Sequence, residues 1–113
     1  MDAREQRLAQ NEALFREVNE KVEAVAAVHG ADDHVYEFYC ECANTDCSLQ
    51  VRATIEEYES VRAYSTRFLV APEHWLPEVE SVTEKHDSFW VIEKHGDAGR
   101  LVAHLDPRNR QSS

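Results

Sequence analysis

Three cysteines lie within eight residues, at Cys40, Cys42 and Cys47, and the chain contains no other cysteine. Thiolates at such short spacing are typical of sites that bind zinc or another soft metal ion. A C-x-C-x₄-C run can present three sulfur atoms from one turn, whereas a structural zinc site has four ligands. The sequence therefore predicts a metal site made of three thiolates and a fourth ligand from elsewhere in the chain.

His74 is the favoured fourth ligand, because it follows a predicted strand and Pro72 in a loop that can fold over the cysteine turn. His34 lies closer in sequence, six residues before Cys40, but six extended residues span ~20 Å. Asp46 or a water molecule remains an alternative. A shell of three cysteines and one histidine predicts a structural Zn²⁺ ion, since a closed shell leaves no position for substrate or for an activated water.

Two other interpretations of the cysteines compete with metal binding. A redox pair of Cys40 and Cys42 is disfavoured, because the neighbouring carboxylates of Glu41 and Asp46 are expected to raise the pKa of the thiols. Inert buried thiols are disfavoured because Cys42 and Cys47 lie in a polar, turn-rich stretch. The chain has no H-E-x-x-H motif and no glycine-rich phosphate loop, so we predict no catalytic activity.

Charge and composition exclude several kinds of partner. The chain has 113 residues and carries 22 acidic against 12 basic residues, for a net charge of −10. Such acidity disfavours nucleic acids and anionic membranes and fits a protein partner of basic character. The N-terminus has no apolar signal segment and no stretch is apolar for long enough to span a membrane, so we predict a cytoplasmic protein whose thiols stay reduced.

A long helix is predicted over residues 3–29, which lack glycine and proline and end at Gly30. Its apolar residues recur every three or four positions, at Leu8, Phe15, Val18, Val22 and Val25. This stripe favours packing of the helix onto its own domain and leaves pairing with a second copy, a homodimer, as the alternative. Because the first ten residues offer only Leu8 for burial, that end is expected to project or fray.

The rest of the chain alternates short strands with short helices. Period-two patterning and turn residues predict strands at 35–40, 49–53 and 67–71, a capped helix at 54–63, a hairpin at 78–94 that turns at 86–88, and a short helix near 101–105. Gly96 and Gly99 are expected to flank the turn before that last helix, and Trp90 to lie in the sheet core. We predict an α+β fold in one domain, 1–107, in which a small, mostly antiparallel and zinc-stapled sheet (35–107) follows the helix (1–29), with a disordered tail at 108–113.

Four segments form a distinctive set: F-Y-C-E-C-A-N-T-D-C at 38–47, T-I-E-E-Y at 54–58, R-F-L-V-A-P-E-H at 67–74 and N-E-A-L-F-R-E-V-N at 11–19. Together they resemble a family of small acidic bacterial proteins to which no activity is assigned. The resemblance covers most of residues 1–95. That family pairs the C-E-C-x₄-C element with a later Pro-Gly-His, where this chain has Glu73 in the middle position. The resemblance implies one site formed by Cys40, Cys42, Cys47 and His74, and it implies no activity.

These features predict a non-catalytic zinc-binding module of the bacterial cytoplasm, one that acts in protein interaction or regulation. The acidic surface and the N-terminal helix would then be the partner surfaces. The alternative is a metal- or thiol-responsive sensor, which requires a labile site. A small metal-dependent enzyme comes third, with Glu41 or Glu73 as the nearby base.

Overall fold

The computed structural model describes residues 1–29, 34–44 and 46–108. Three helices and five strands are assigned among these residues, in two antiparallel sheets of two and three strands. The elements follow in the order α1 (Ala3–His29), β1 (Val35–Tyr39), β2 (Gln50–Thr54), α2 (Ile55–Arg62), β3 (Arg67–Val70), β4 (Glu80–Lys85), β5 (Trp90–Lys94) and α3 (Gly96–His104). The predicted α+β class is confirmed. None of the helices assigned in these ranges is long and apolar enough to cross a membrane.

The two sheets meet where β1 ends. β1 pairs with β2, and β3, β5 and β4 form the other sheet in that order, with β5 in the centre. Just after β1, the N–H of Glu41 donates to the carbonyl of Leu69 in β3 at 2.8 Å. The chain that follows β1 therefore runs beside β3, and this brings the cysteine segment to the end of the second sheet.

Aromatic and aliphatic side chains fill the core between α2 and the two sheets. Phe38 and Tyr58 stack with ring centroids 4.6 Å apart, and both are fully buried. The predicted capping box is confirmed, since Thr54 and Glu57 exchange side-chain to backbone hydrogen bonds at the start of α2. Trp90 is only half-buried, with Lys85 over its ring, so its predicted place in the sheet core is corrected; β5 fills that core with other residues.

Polar residues dominate the side of α1 that faces the domain. Glu12, Arg16 and Asn19 are fully buried beside small alanines. Arg16 donates to the carbonyls of Ser65 and Val102, both at 2.6 Å. These partners lie far along the chain, so the apolar stripe does not mark the most buried face of the helix.

The predicted apolar stripe lies along one flank of α1 and is buried only in part. Leu8, Phe15, Val18 and Val22 are half-buried, while Val25 is 63% exposed. The N-terminal end does not project, because Ala9 is fully buried and the amino group of Met1 lies 3.5 Å from a carboxylate of α3. Gly30, the predicted cap, lies outside the described residues.

The last helix starts earlier than predicted. Gly96 and Gly99 both belong to α3 and do not flank a turn before it. Gly96 has φ +65°, which glycine adopts readily at the start of the helix. A β-carbon on Gly99 would come within 2.7 Å of the Lys94 carbonyl, so glycine there allows the helix to pack closely on the end of β5. Of the predicted tail, only Arg108 is described, and its guanidinium binds Glu20 and Glu59.

Candidate metal centre

The four predicted ligands converge on one point. One ligand atom from each of Cys40, Cys42, Cys47 and His74 lies within 4.8 Å of all the others. Nδ1 of His74 is 3.6 Å from Sγ of Cys40 and 3.7 Å from Sγ of Cys47. In a tetrahedral zinc site, bonds of ~2.3 Å to sulfur and ~2.0 Å to nitrogen place those atoms ~3.6 Å apart. These two nitrogen–sulfur distances therefore match those of a tetrahedral site, and the cluster can hold a metal ion.

Cys40 is held in place by hydrogen bonds to residues at the ends of both sheets. Its backbone N–H donates to the carbonyl of Leu49 across the hairpin at 3.0 Å. Its sulfur accepts a hydrogen bond from the backbone N–H of Ala71, just after β3, at 3.1 Å. Outer contacts of this kind orient a ligand and stabilise the negative charge of a thiolate.

A tight turn returns Cys47 towards the other thiols, as the sequence predicts. The side-chain oxygen of Asn44 accepts from the N–H of Asp46, and the Asn44 carbonyl accepts from the N–H of Cys47, both at 3.0 Å. Asn11 of α1 donates to the Ala43 carbonyl at 3.0 Å and attaches the turn to the helix. An asparagine at the start of such a turn shapes it through its own side chain.

His74 is presented by a second turn. The N–H of His74 donates to the Ala71 carbonyl at 3.0 Å, and Glu73 has φ +72°. This is the geometry of a type II turn with Pro72 in its second position and a left-handed residue in its third, where glycine is favoured. Glu73 adopts the left-handed conformation nonetheless, so the turn that presents His74 forms with some backbone strain.

Glu41, which lies between the first two cysteines in sequence, has a structural role. Glu41 is completely buried; it accepts from Asn19 at 2.8 Å and from the backbone N–H of Leu69 at 2.9 Å. Burial raises the pKa of Glu41 to about 7, against the opposing effect of these two hydrogen bonds. Because both carboxylate oxygens are bound to protein donors, Glu41 is poorly placed to serve as a base towards a bound water.

The three thiols differ in acidity. The pKa of Cys42 is lowered to about 5, chiefly by a hydrogen bond from the thiol of Cys40. The pKa of Cys40 is raised by that same interaction and by burial, and the pKa of Cys47 is raised by burial. The expectation that Glu41 and Asp46 raise the pKa of the thiols is thus wrong for Cys42, because hydrogen bonds, first of all that from Cys40, lower its pKa.

No family model matches this chain, and no significant match exists among curated proteins or solved structures. The chemistry of the cluster is therefore argued from its geometry alone.

His34, the nearest alternative ligand in sequence, is exposed and packs on the ring of Tyr36, and Asp46 is exposed; neither belongs to the cluster. Sequence reasoning missed the supporting role of Asn19, since a lone asparagine in a helix carries no signal for burial.

A cavity of about 420 Å³ opens beside the cluster. Cys42 and His74 form part of its wall, and Trp75 is the aromatic residue in it. Among the described residues, its lining is Leu8, Cys42, Ala43, Asn44, Glu73, His74, Trp75, Leu76 and Glu80. Trp75 thus lies at the edge of the site, and the cavity leaves one side of the cluster accessible.

Proposed function

We propose that this protein is a non-catalytic interaction module whose fold is stabilised by a structural Zn²⁺ ion on Cys40, Cys42, Cys47 and His74. The convergence of four ligand atoms, with nitrogen to sulfur distances of 3.6 and 3.7 Å, carries the proposal. Three thiolates and one imidazole in a tetrahedral arrangement favour zinc over harder ions, which prefer oxygen.

The position of the cluster explains what the ion would stabilise. Its ligands come from the end of β1, from the turn after it and from the loop after β3, so one ion would tie the two sheets together. A domain of this size has a modest core, and metal ligation would then supply a large part of its folding free energy. The non-catalytic role is supported by the closed shell and by the bound oxygens of Glu41.

Elemental analysis of protein purified without added metal tests the zinc site. We expect one zinc per chain, and we expect Cys47→Ser and His74→Ala to lose it and to unfold at lower temperature. His34→Ala is the matched control, because His34 is exposed and lies outside the cluster. A wild-type chain without zinc and with three freely titrating thiols would refute the site.

The cavity beside the cluster favours one second candidate, a metal-responsive sensor. Cys42 and His74 line that cavity, and Cys47 is only half-buried, so a chelator can approach the ion. A competition experiment with a chromogenic chelator separates the two functions. Release on the time scale of mixing supports a sensor, whereas release limited by the rate of global unfolding supports a structural ion.

A further inference from the structure

The cavity beside the metal cluster has apolar walls and no basic side chain in its lining. Its volume of about 420 Å³ lies within the range of about 300–1,000 Å³ that is usual for ligand pockets. Leu8, Trp75 and Leu76 supply large apolar side chains to the wall, and the described residues that line it include no lysine or arginine. A ligand for this cavity therefore needs an apolar body, and the charges around the cavity select the polar end of that body.

The metal cluster contributes one negative charge if it holds zinc, and this step depends on the zinc site proposed above. Cys42 and His74 belong both to the cluster and to the cavity wall. Zinc binds cysteine as the thiolate and histidine as the neutral imidazole, so three thiolates around one Zn²⁺ ion leave an excess of one negative charge. An occupied cluster therefore favours a cation in the cavity.

Two glutamates also line the cavity, and one of them is available to a ligand. The buried carboxylate of Glu80 accepts from the N–H of Leu76 at 2.8 Å and lies 3.0 Å from the ammonium of Lys94. Glu73 is exposed, and no described residue forms a hydrogen bond or an ion pair with its carboxylate. The charge of Glu80 is thus compensated inside the protein, whereas that of Glu73 remains available at the rim of the cavity.

Glu73 also occupies a strained backbone position. Its φ of +72° lies in the left-handed region, which glycine adopts without strain. Strained residues persist where the surrounding structure holds them, and they are concentrated at functional sites. A glutamate in this conformation, whose carboxylate is bound by no described residue and borders an apolar cavity, is an independent observation that points to a positively charged ligand.

We propose that the cavity binds a lysine side chain of a basic protein partner. Lysine has the longer apolar stem of the two strongly basic side chains, and this stem would contact Leu8, Trp75 and Leu76. Its ammonium would remain at the rim beside Glu73, and the indole of Trp75 attracts a cation that lies over its ring. The net charge of −10 steers a basic protein towards this chain, and a small amine with one charge gains much less from it.

Titration of the full, zinc-loaded chain with a short lysine peptide tests the proposal. The chain has two tryptophans, so in Trp90→Phe the indole N–H signal of an NMR spectrum belongs to Trp75. We expect the blocked tripeptide Gly-Lys-Gly to shift this signal. It should bind about fivefold or more tightly than the same peptide with norleucine, which lacks the ammonium group. The same peptide with glutamate should bind more weakly still.

A charge-removing variant tests the role of Glu73. Glu73→Gln is similar in size and requires the same left-handed backbone, but it lacks the charge. It should weaken binding of the lysine peptide about threefold or more and leave the norleucine peptide unaffected. Glu78→Gln is the matched control, because it removes the same charge at an exposed position outside the lining, and it should change both affinities little.

Equal binding of the three peptides, no shift with the lysine peptide, or equal binding of it by wild type and Glu73→Gln would overturn the proposal. An affinity for butylammonium at least equal to that for the lysine peptide would also overturn it, by assigning the cavity to a small amine. Zinc content is measured in the same samples. A zinc-loaded chain without a preference for lysine refutes this proposal alone. A chain without zinc refutes the metal site, and the comparison with Glu73→Gln then still decides this proposal.

Discussion

The backbone N–H of Ala71 points at the sulfur of Cys40, 3.1 Å away. The bond joins the end of one sheet to a ligand at the end of the other, and the same Ala71 accepts from the N–H of His74. One residue thus orients two of the four ligands, Cys40 and His74. The stability of the domain and the geometry of the cluster are therefore linked at this position.

Substitution of Cys40 should lower the free energy of unfolding more than substitution of Cys47. Cys40 is 1% exposed and accepts the Ala71 hydrogen bond, whereas Cys47 is half-buried at the rim. Cys40→Ala leaves the Ala71 donor buried without a partner, which costs about 1–3 kcal/mol beyond the lost zinc bond. Urea denaturation of Cys40→Ala and Cys47→Ala, both with chelator present, measures this difference without the metal. Equal stabilities would show that the Ala71 contact contributes nothing.

Replacing Glu73 by glycine should stabilise the protein. The left-handed φ of +72° destabilises a non-glycine residue by about 1–2 kcal/mol, and Glu73→Gly removes that strain. Glycine also makes the unfolded chain more flexible, which lowers the free energy of unfolding by about 0.5–1 kcal/mol and offsets part of the gain. We expect Glu73→Gly to raise the free energy of unfolding by about 0.5–1 kcal/mol, measured by urea denaturation of the zinc-loaded chain. Glu73→Ala removes the same charge but retains the unfavourable φ, so it should give no gain. A gain from alanine equal to that from glycine would assign the effect to charge.

Lys94 should be among the residues least tolerant of substitution outside the cluster. Its ammonium lies 2.5 Å from Glu12 and 3.0 Å from Glu80, and all three side chains are buried. Burial raises the pKa of Glu12 well above its usual value, and Oε2 of Glu12 has no partner among the described residues. Lys94→Met should cost about 3–5 kcal/mol, since it leaves two carboxylates buried without a cation.

A triple variant distinguishes how much of the stability lost at Lys94 comes from unpaired charge and how much from packing. Lys94→Met with Glu12→Leu and Glu80→Gln removes every ion and should recover most of the lost stability, because buried ion pairs contribute little over apolar side chains. Thermal unfolding of the single and triple variants measures the recovery. If the triple variant is no more stable than Lys94→Met, the loss comes from packing instead of from unpaired charge.

Two carboxylates, the half-buried Glu20 and the buried Asp106, should limit stability in acid. Burial acts to raise the pKa of both Glu20 and Asp106, but hydrogen bonds and charge from Arg62 and Arg108 outweigh it and lower both. A carboxyl group with a lowered pKa stabilises the fold above its unfolded value of about 4, and that stabilisation is lost as pH falls through the folded value. The contribution should therefore be complete near neutral pH and disappear below about pH 4.

Asp106→Asn measures that contribution. The difference in free energy of unfolding between wild type and this variant should be constant above about pH 5 and shrink as the pH falls further. Urea denaturation at a series of pH values provides the measurement. Glu78→Gln, which removes the same charge at an exposed position, is the control for the loss of one negative charge. A constant difference for Asp106→Asn across the whole range would contradict the lowered pKa.

The sequence predicted the elements and the site better than it predicted the interior. Cys40, Cys42, Cys47 and His74 could be grouped because thiol spacing and a proline turn are local signals. The buried face of α1 could not, because Arg16 and Glu12 are buried only by virtue of partners far along the chain. Periodicity assumes that apolar residues face inward, and this helix violates that assumption.

The same long connections bear on how the chain is made. Arg16 meets the carbonyl of Val102 across 86 positions, and Glu12 meets Lys94 across 82. α1 precedes these partners in the chain, so it cannot complete its inner face until the segment with Lys94 and Val102 has been synthesised. Its charged residues stay hydrated until then and help to keep the nascent chain soluble. Closure of the fold is a late step, and contacts of such high sequence separation favour slow folding.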